Sequence, residues 1–303
     1  MKNHLLSHFL FLLLLTCSTL QAQTKSFYFT TSDSVQLYVR VAGQGKPCLF
    51  IHGGPGSWTK YYYALGGNIT EQDMTMIYVD QRGSGRSGGN ASTDYSLARV
   101  VKDFEEIRAH LGYDKWIVMP HSFGGTIATE YAYTYPTRVL ATIYVNTTLN
   151  LDYAKSNGIT QAARILNVPE SEFLKPGVSK TQAFGAVWGK LNEQNLAYKM
   201  MYRDKEMFDK MAAVMDTTLN GHFGSNVWNY TEYEQDFTMK SASIKSPVLV
   251  FTGLYDYSIG PDHYKSFQFQ KATYKVMKTG HCPYQEQPDT FRKHIRKFIA
   301  KLD

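Results

Sequence analysis

Between residues 47 and 145, short apolar runs alternate with stretches that carry helical spacing, and this alternation restricts the fold more than any other feature of the chain. The runs at 47–52, 74–80, 116–119 and 139–145 are too short for helices and too apolar for a half-exposed sheet. Val100, Val101, Phe104, Ile107 and Leu111 fall on one side of a helix over 97–111, and a second helix is expected over 126–135. Strand–helix repetition of this kind predicts an α/β fold: a mostly parallel twisted sheet with helices on both faces. The runs 27–30 and 35–41 alternate like an edge hairpin placed before it. The rhythm then stops. Residues 147–243 are helical, aromatic and methionine-rich, with no strand-like run. It resumes at 247–251 and 274–277 and closes with an amphipathic helix over 290–302. The expected organisation is a core of 23–146 and 244–303, with 147–243 inserted as a helical cap. The cap is expected over the C-terminal edge of the strands, where open α/β sheets place their sites. The methionines between 200 and 215 read as packing.

Three residues fall just after three of these runs. Ser122 sits among small residues between the run 116–119 and its helix. A sharp strand-to-helix turn would push its hydroxyl out of the sheet, and the helix N–H groups would favour negative charge beside it. The motif reads Pro120-x-Ser122-x-Gly124, with proline in place of the usual first glycine. A serine nucleophile needs a base and a group that orients the base, and on such a sheet these follow in the order Ser, Asp or Glu, His. Asp256 follows the run 247–251, with Asp262 as its rival, and His281 follows the run 274–277. An oxyanion needs two convergent N–H donors. Phe123 is expected to supply one and Gly54, in the loop His52-Gly53-Gly54-Pro55-Gly56, the other, through a cis Gly54–Pro55 bond. His52 and His121 come too early in the chain to be the base and read as structural neighbours of the site. Arg82 and Arg86 are expected to brace the oxyanion loop.

Taken together, His52-Gly53-Gly54-Pro55-Gly56, the run Asp80-Gln81-Arg82-Gly83-Ser84-Gly85-Arg86-Ser87, the Ser122 turn, Gly253-Leu254-Tyr255-Asp256 and Gly280-His281 resemble the α/β-hydrolase superfamily. Within it they are similar to the proline iminopeptidase branch of serine peptidases. The resemblance covers the core and implies a cap inserted after the sixth strand. It also implies release of an N-terminal residue, typically proline, from a short peptide. In that branch, cap glutamates bind the free amine of the substrate, one of them in a Trp-Glu pair. Here Trp188 is followed by Gly189, which leaves Glu232 and Glu234, near Trp228, and Glu193 as the residues for that role. The alternatives are a carboxylesterase or lactonase on the same machinery, or a binding protein that keeps the fold without catalysis. Serine in the nucleophile position disfavours an epoxide hydrolase or dehalogenase.

The first 22 residues, with an apolar block over 9–15 ending at Leu20-Gln21-Ala22, read as a secretory signal cleaved near Ala22. The block is too short to span a bilayer, so no stable membrane insertion is expected after cleavage. Lipidation at Cys17 ranks second, because Thr16 fits poorly before such a cysteine. The mature protein is thus expected outside the cytoplasm, secreted or periplasmic. Cys48 and Cys282 remain and read as free thiols, since two cysteines make no disulfide framework. The formal charge of +6 is spread without a basic run, which argues against nucleic acid as a partner. Outside residues 1–22, where His4 and His8 fall, no His-x-x-x-His or Cys-x-x-Cys pair occurs, so neither metal nor cofactor is expected, and the partner is a small peptide or ester substrate.

Overall fold

The computed structural model describes residues 24–216 and 218–302. The signal and Cys17 readings fall outside these residues. Eight strands form one sheet: β1 (Lys25–Thr30), β2 (Gln36–Ala42), β3 (Lys46–Ile51), β4 (Met74–Val79), β5 (Trp116–Ser122), β6 (Val139–Thr147), β7 (Val248–Gly253) and β8 (Ala272–Met277). Their spatial order is β1-β2-β4-β3-β5-β6-β7-β8. Strand β2 runs antiparallel to both β1 and β4, and every other pairing is parallel.

The apolar runs are continuous because these strands are covered on both faces. Along β3 and β5, successive residues point to opposite layers. Leu49, Ile51, Trp116 and Val118 pack with residues of the helices Leu97–His110 and Gly124–Thr134. Cys48, Phe50, Ile117 and Met119 pack on the other face with Phe291, Ile295 and Ile299 of the closing helix Pro288–Ile299. Both Cys48 and Cys282 are buried free thiols. The expected strands all form. Strand β5 runs past its expected end, through Pro120 to Ser122, and its pairing with β6 is irregular between His121 and Ser122. Extended geometry suits the fixed φ of proline, so its missing donor does not end the strand.

The chain places β4 on one side of β3 and β5 on the other. That reversal makes the crevice beyond the C-terminal ends of β3 and β5 a topological switch point. The loop 52–58 and the Ser122 turn both open into it. Gly124 lets the following helix come close, since a Cβ there would lie 2.5 Å from the Ile51 carbonyl oxygen.

From Thr148 to Pro247 no strand is present among the described residues. The principal helices are Leu151–Leu166, Lys180–Glu193 and Lys205–Val214. Asn150 caps the first of these and Ser179 closes a capping box with Gln182 on the second. The first two share an apolar cluster of their own with Met200, built on Ile159, Ala162, Val187 and Leu191. The far end of this segment is tied to the loop after β4, where Phe223 N donates to Gly83 O at 2.8 Å and Asn220 N to Gly85 O at 3.0 Å. No helix among the described residues is long and apolar enough to cross a membrane.

Candidate active site

Ser122 ends β5 at φ +55°, in the left-handed region that costs a side-chain-bearing residue energy. The turn reverses the chain into the helix Gly124–Thr134 and leaves the serine half-buried at a cavity wall. Gly53 faces it so closely that a Cβ on Gly53 would lie 2.6 Å from the Ser122 Cβ.

His281 and Asp256 meet. Asp256 follows β7 and His281 follows β8, both are buried, and His281 Nδ1 lies 2.8 Å from Asp256 Oδ2. Burial alone would push the Asp256 carboxyl up. The nearby His281, with hydrogen bonds from His281, Ser258 and Asn146, outweighs it and holds the pKa below the ordinary value. Ser258 Oγ donates to Asp256 Oδ1 at 2.7 Å and sits 3.1 Å from His281 Nδ1. Asn146 Nδ2 donates to Asp256 Oδ2 and to the Gly280 carbonyl, each at 2.9 Å. Asp262 is remote in character: its side chain is 65 % exposed and pairs with Lys265.

Gly54 and Phe123 both line the cavity that Ser122 and His281 share. Gly54 has φ +123° and the Gly54–Pro55 bond is cis. Neither of the two amides donates a hydrogen bond among the described residues.

A buried relay joins this loop to the histidine. Gly53 N–H donates to Tyr61 Oη at 3.0 Å, and Tyr61 Oη is 2.8 Å from His121 Nδ1. His121 Nε2 is 3.0 Å from the His281 carbonyl, which only accepts, so Nε2 carries the proton and Nδ1 accepts from Tyr61. Burial and the adjacent His281 push the His121 pKa down to about 3, which keeps that tautomer neutral. His52 is equally structural. Its Nε2 accepts from Gln81 N–H at 3.0 Å and its Nδ1 donates to the Gly53 carbonyl at 2.9 Å.

The two arginines divide. Arg86 Nε donates to Asp80 Oδ2 at 2.7 Å, and Asp80 Oδ1 in turn accepts from Thr59 N and Oγ1 at 2.9 and 2.6 Å, bracing the end of loop 52–58. Arg82 points elsewhere, so the expectation that it braces this loop is corrected. Its guanidinium is spanned by Asp33 and Asp103, two carboxylates that satisfy its donors away from that loop. Asp80 is fully buried, so Asp80→Ala should strand the Arg86 charge and lower stability by about 3 kcal/mol in urea unfolding.

Glu286 accepts from Gly280 N–H at 2.8 Å, next to His281. Burial pushes its pKa from 4.5 up to about 7, with the Asp256 charge adding to the shift. The folded state therefore favours its protonated form. That contribution to stability is complete below about pH 4.5 and is lost as pH rises through about 7. Glu286→Gln keeps the acceptor and removes the charge. Its melting temperature, measured against the parent, should gain between pH 5 and pH 7 and level off above that.

Two cavities share Ser122 and His281. One, of about 380 Å³, is open and runs past Ser57, Tyr61, Met211 and Met215. The other, of about 410 Å³, is more enclosed and lies between the sheet edge and the helical segment, under Leu151, Phe184, Trp188 and Trp228. Among the described residues no carboxylate lines either one. Trp228 thus stands at the site. Glu232 does not, since its Oε1 accepts from Leu97 N–H at the start of a core helix. Glu234 does not line either cavity and pairs with Lys155 at 2.8 Å, and Glu193 is exposed. No cluster of three or more potential metal ligands gathers among the described residues.

Residues 46–288 match the sequence model of the α/β hydrolase fold. Among its relatives, a proline iminopeptidase of Heyndrickxia coagulans is 27% identical over 277 residues, covering 86% of this chain and 92% of that one. A proline iminopeptidase-related protein of Thermus thermophilus superposes with a TM-score of 0.75 at 19% identity, over 92% and 98% of the two chains. A thermophilic esterase of Thermogutta terrifontis superposes with a TM-score of 0.67 at 20% identity, over 93% and 99%. At these identities the two solved structures speak for the fold alone. The family model spans most of the chain, and the protein belongs to the α/β-hydrolase family.

Proposed function

We propose that the protein is a serine hydrolase that cleaves acyl bonds by a Ser-His-Asp triad. The observation that carries this reading is the buried Asp256–His281 pair, whose histidine shares a cavity with a serine held in a left-handed turn. His281 takes the Ser122 proton through Nε2, and Asp256 on Nδ1 fixes that tautomer and stabilises the imidazolium. Ser122 attacks the carbonyl, and the Gly54 and Phe123 amides receive the developing oxyanion. The acyl-enzyme forms as the leaving group takes the proton from His281. Water, activated by the same histidine, then clears it. The helical segment serves as the cap that closes the acyl cavity.

The lining favours an ester or lactone over a peptide with a free N-terminus. A substrate ammonium would need an anion beside Ser122, and among the described residues the enclosed cavity is lined by the cation Lys155 and by no carboxylate. Release of N-terminal proline is the second reading, and the iminopeptidases among the relatives favour it. Comparing p-nitrophenyl butyrate with proline p-nitroanilide separates the two: butyrate turnover with the anilide inert supports the first, and the reverse overturns it. If neither is cleaved and Ser122 takes no fluorophosphonate, the binding-protein reading replaces both. Export is inferred from residues 1–22 alone, and N-terminal sequencing of the protein from cell fractions tests it: a cytosolic chain starting at Met1 contradicts it.

A further inference from the structure

The enclosed cavity is apolar and aromatic except at one point in its wall. Lys155, on the helix Leu151–Leu166, is 8 % exposed and lines it, together with Thr181 from the facing helix. Its Nζ donates to Thr181 Oγ1 and to Glu234 Oε1, each at 2.8 Å, and lies 5.3 Å from the centre of the Trp228 ring. An ammonium has three donors, and these contacts use two. Glu234 is half in water, with a side chain 50 % exposed, so it is the partner that an incoming anion can replace. Glu234 compensates this buried cation in the free protein, and a substrate anion that took its place would keep the charge paired.

We propose that Lys155 recognises a carboxylate on the substrate, and that the acyl group taken up is that of a short dicarboxylic acid joined through one end. This rests on the acyl-hydrolase reading. The acyl part belongs in the enclosed cavity because the leaving group needs the open cleft past Ser57 and Tyr61 to depart. The distal carboxylate displaces Glu234 and forms a charge-assisted hydrogen bond to Nζ. Hydrolysis breaks the acyl C–O bond. Water supplies the oxygen that ends on the acyl carbon and the proton that ends on the alcohol, so no redox partner enters.

Two measurements decide the proposal. The first is calorimetric titration of free glutarate into Ser122→Ala, which needs no turnover. Saturable binding is expected, weakened about tenfold or more by adding Lys155→Met, retained with Lys155→Arg, and strengthened by Glu234→Gln, which removes the internal competitor. A merely structural lysine would not gain affinity when its partner is neutralised. Circular dichroism and melting establish that each variant is folded. No binding, or binding indifferent to Lys155→Met, overturns the proposal.

The second compares monomethyl glutarate with methyl pentanoate by pH-stat. The ratio of their kcat/KM values should favour the anion and fall about tenfold or more in Lys155→Met. A butyrate ester of 3-hydroxybenzoate, with its carboxylate on the leaving group, should show no such dependence. Dependence there in place of the glutarate arm overturns the acyl-side assignment. Hydrolysis of methyl pentanoate with an unchanged ratio sinks the lysine and leaves the hydrolase. Absence of all turnover, with Ser122 unlabelled by a fluorophosphonate, sinks the hydrolase while the glutarate titration still decides the lysine.

Discussion

Ser122→Ala should lower kcat by about 10⁶ while the protein melts within a few degrees of the parent. The size of the loss follows from the roles proposed for the residues around the serine. Removing the attacking oxygen leaves His281 with no proton to take, and Asp256 then orients a base with no work. Members of such a unit are not additive, so removing the serine alone costs about as much as removing all three. What survives over water comes from the Gly54 and Phe123 amides and from binding. The fold should tolerate the change because the side-chain oxygen of Ser122 makes no hydrogen bond among the described residues and alanine keeps the Cβ. Activity within tenfold of the parent would end the assignment of Ser122 as nucleophile.

Asp256→Asn should cost about 10⁴ in kcat with little change in KM. Asparagine keeps the shape but turns an acceptor pair into one acceptor and one donor. Three donors converge on Asp256, from His281, Asn146 and Ser258, and an amide cannot satisfy them all. His281 is then driven toward the tautomer with its proton on Nε2, where it cannot accept from Ser122. The variant should also be less stable at neutral pH. The Asp256 pKa is lowered on folding, so its ionised form contributes stability above the ordinary carboxyl pKa, and that contribution disappears as pH falls through the folded value. Asp262→Asn is the matched control. That carboxylate is mostly in solvent, and steady-state kinetics should leave it indistinguishable from the parent.

Much of this site is legible in residue order. Ser122, Asp256 and His281 each follow an apolar run, and a parallel sheet brings the C-terminal ends of such runs to one edge. Gly54 is legible for the same reason, since β3 pairs directly with β5. What cannot be read there depends on side chains from separate elements meeting in the interior. Asn146 carries a faint signal, as a polar residue closing the apolar run of β6 at the functional edge. Ser258 and Tyr61 carry none, and His121 is legible only as a neighbour of the site, because their roles come from hydrogen bonds to residues far along the chain. Arg82 departs from expectation because Asp103, on a core helix, takes its guanidinium, while Asp80 takes that of Arg86. Glu232 and Glu234 stand near Trp228 in sequence, yet one serves a core helix and the other neutralises Lys155. Lys155 looks in sequence like any lysine on a solvated helix face; only the fold turns it inward.

The most direct test of the account is where a fluorophosphonate attaches. The probe phosphorylates a serine only when a base draws off its proton and amides hold the new oxyanion, so it reports the assembled site and not the residue alone. Peptide mapping of the labelled protein should find one adduct, on Ser122, and His281→Ala should abolish it in a chain that still folds. An unlabelled protein, or an adduct on Ser122 that forms as fast without His281, would contradict the proposed triad.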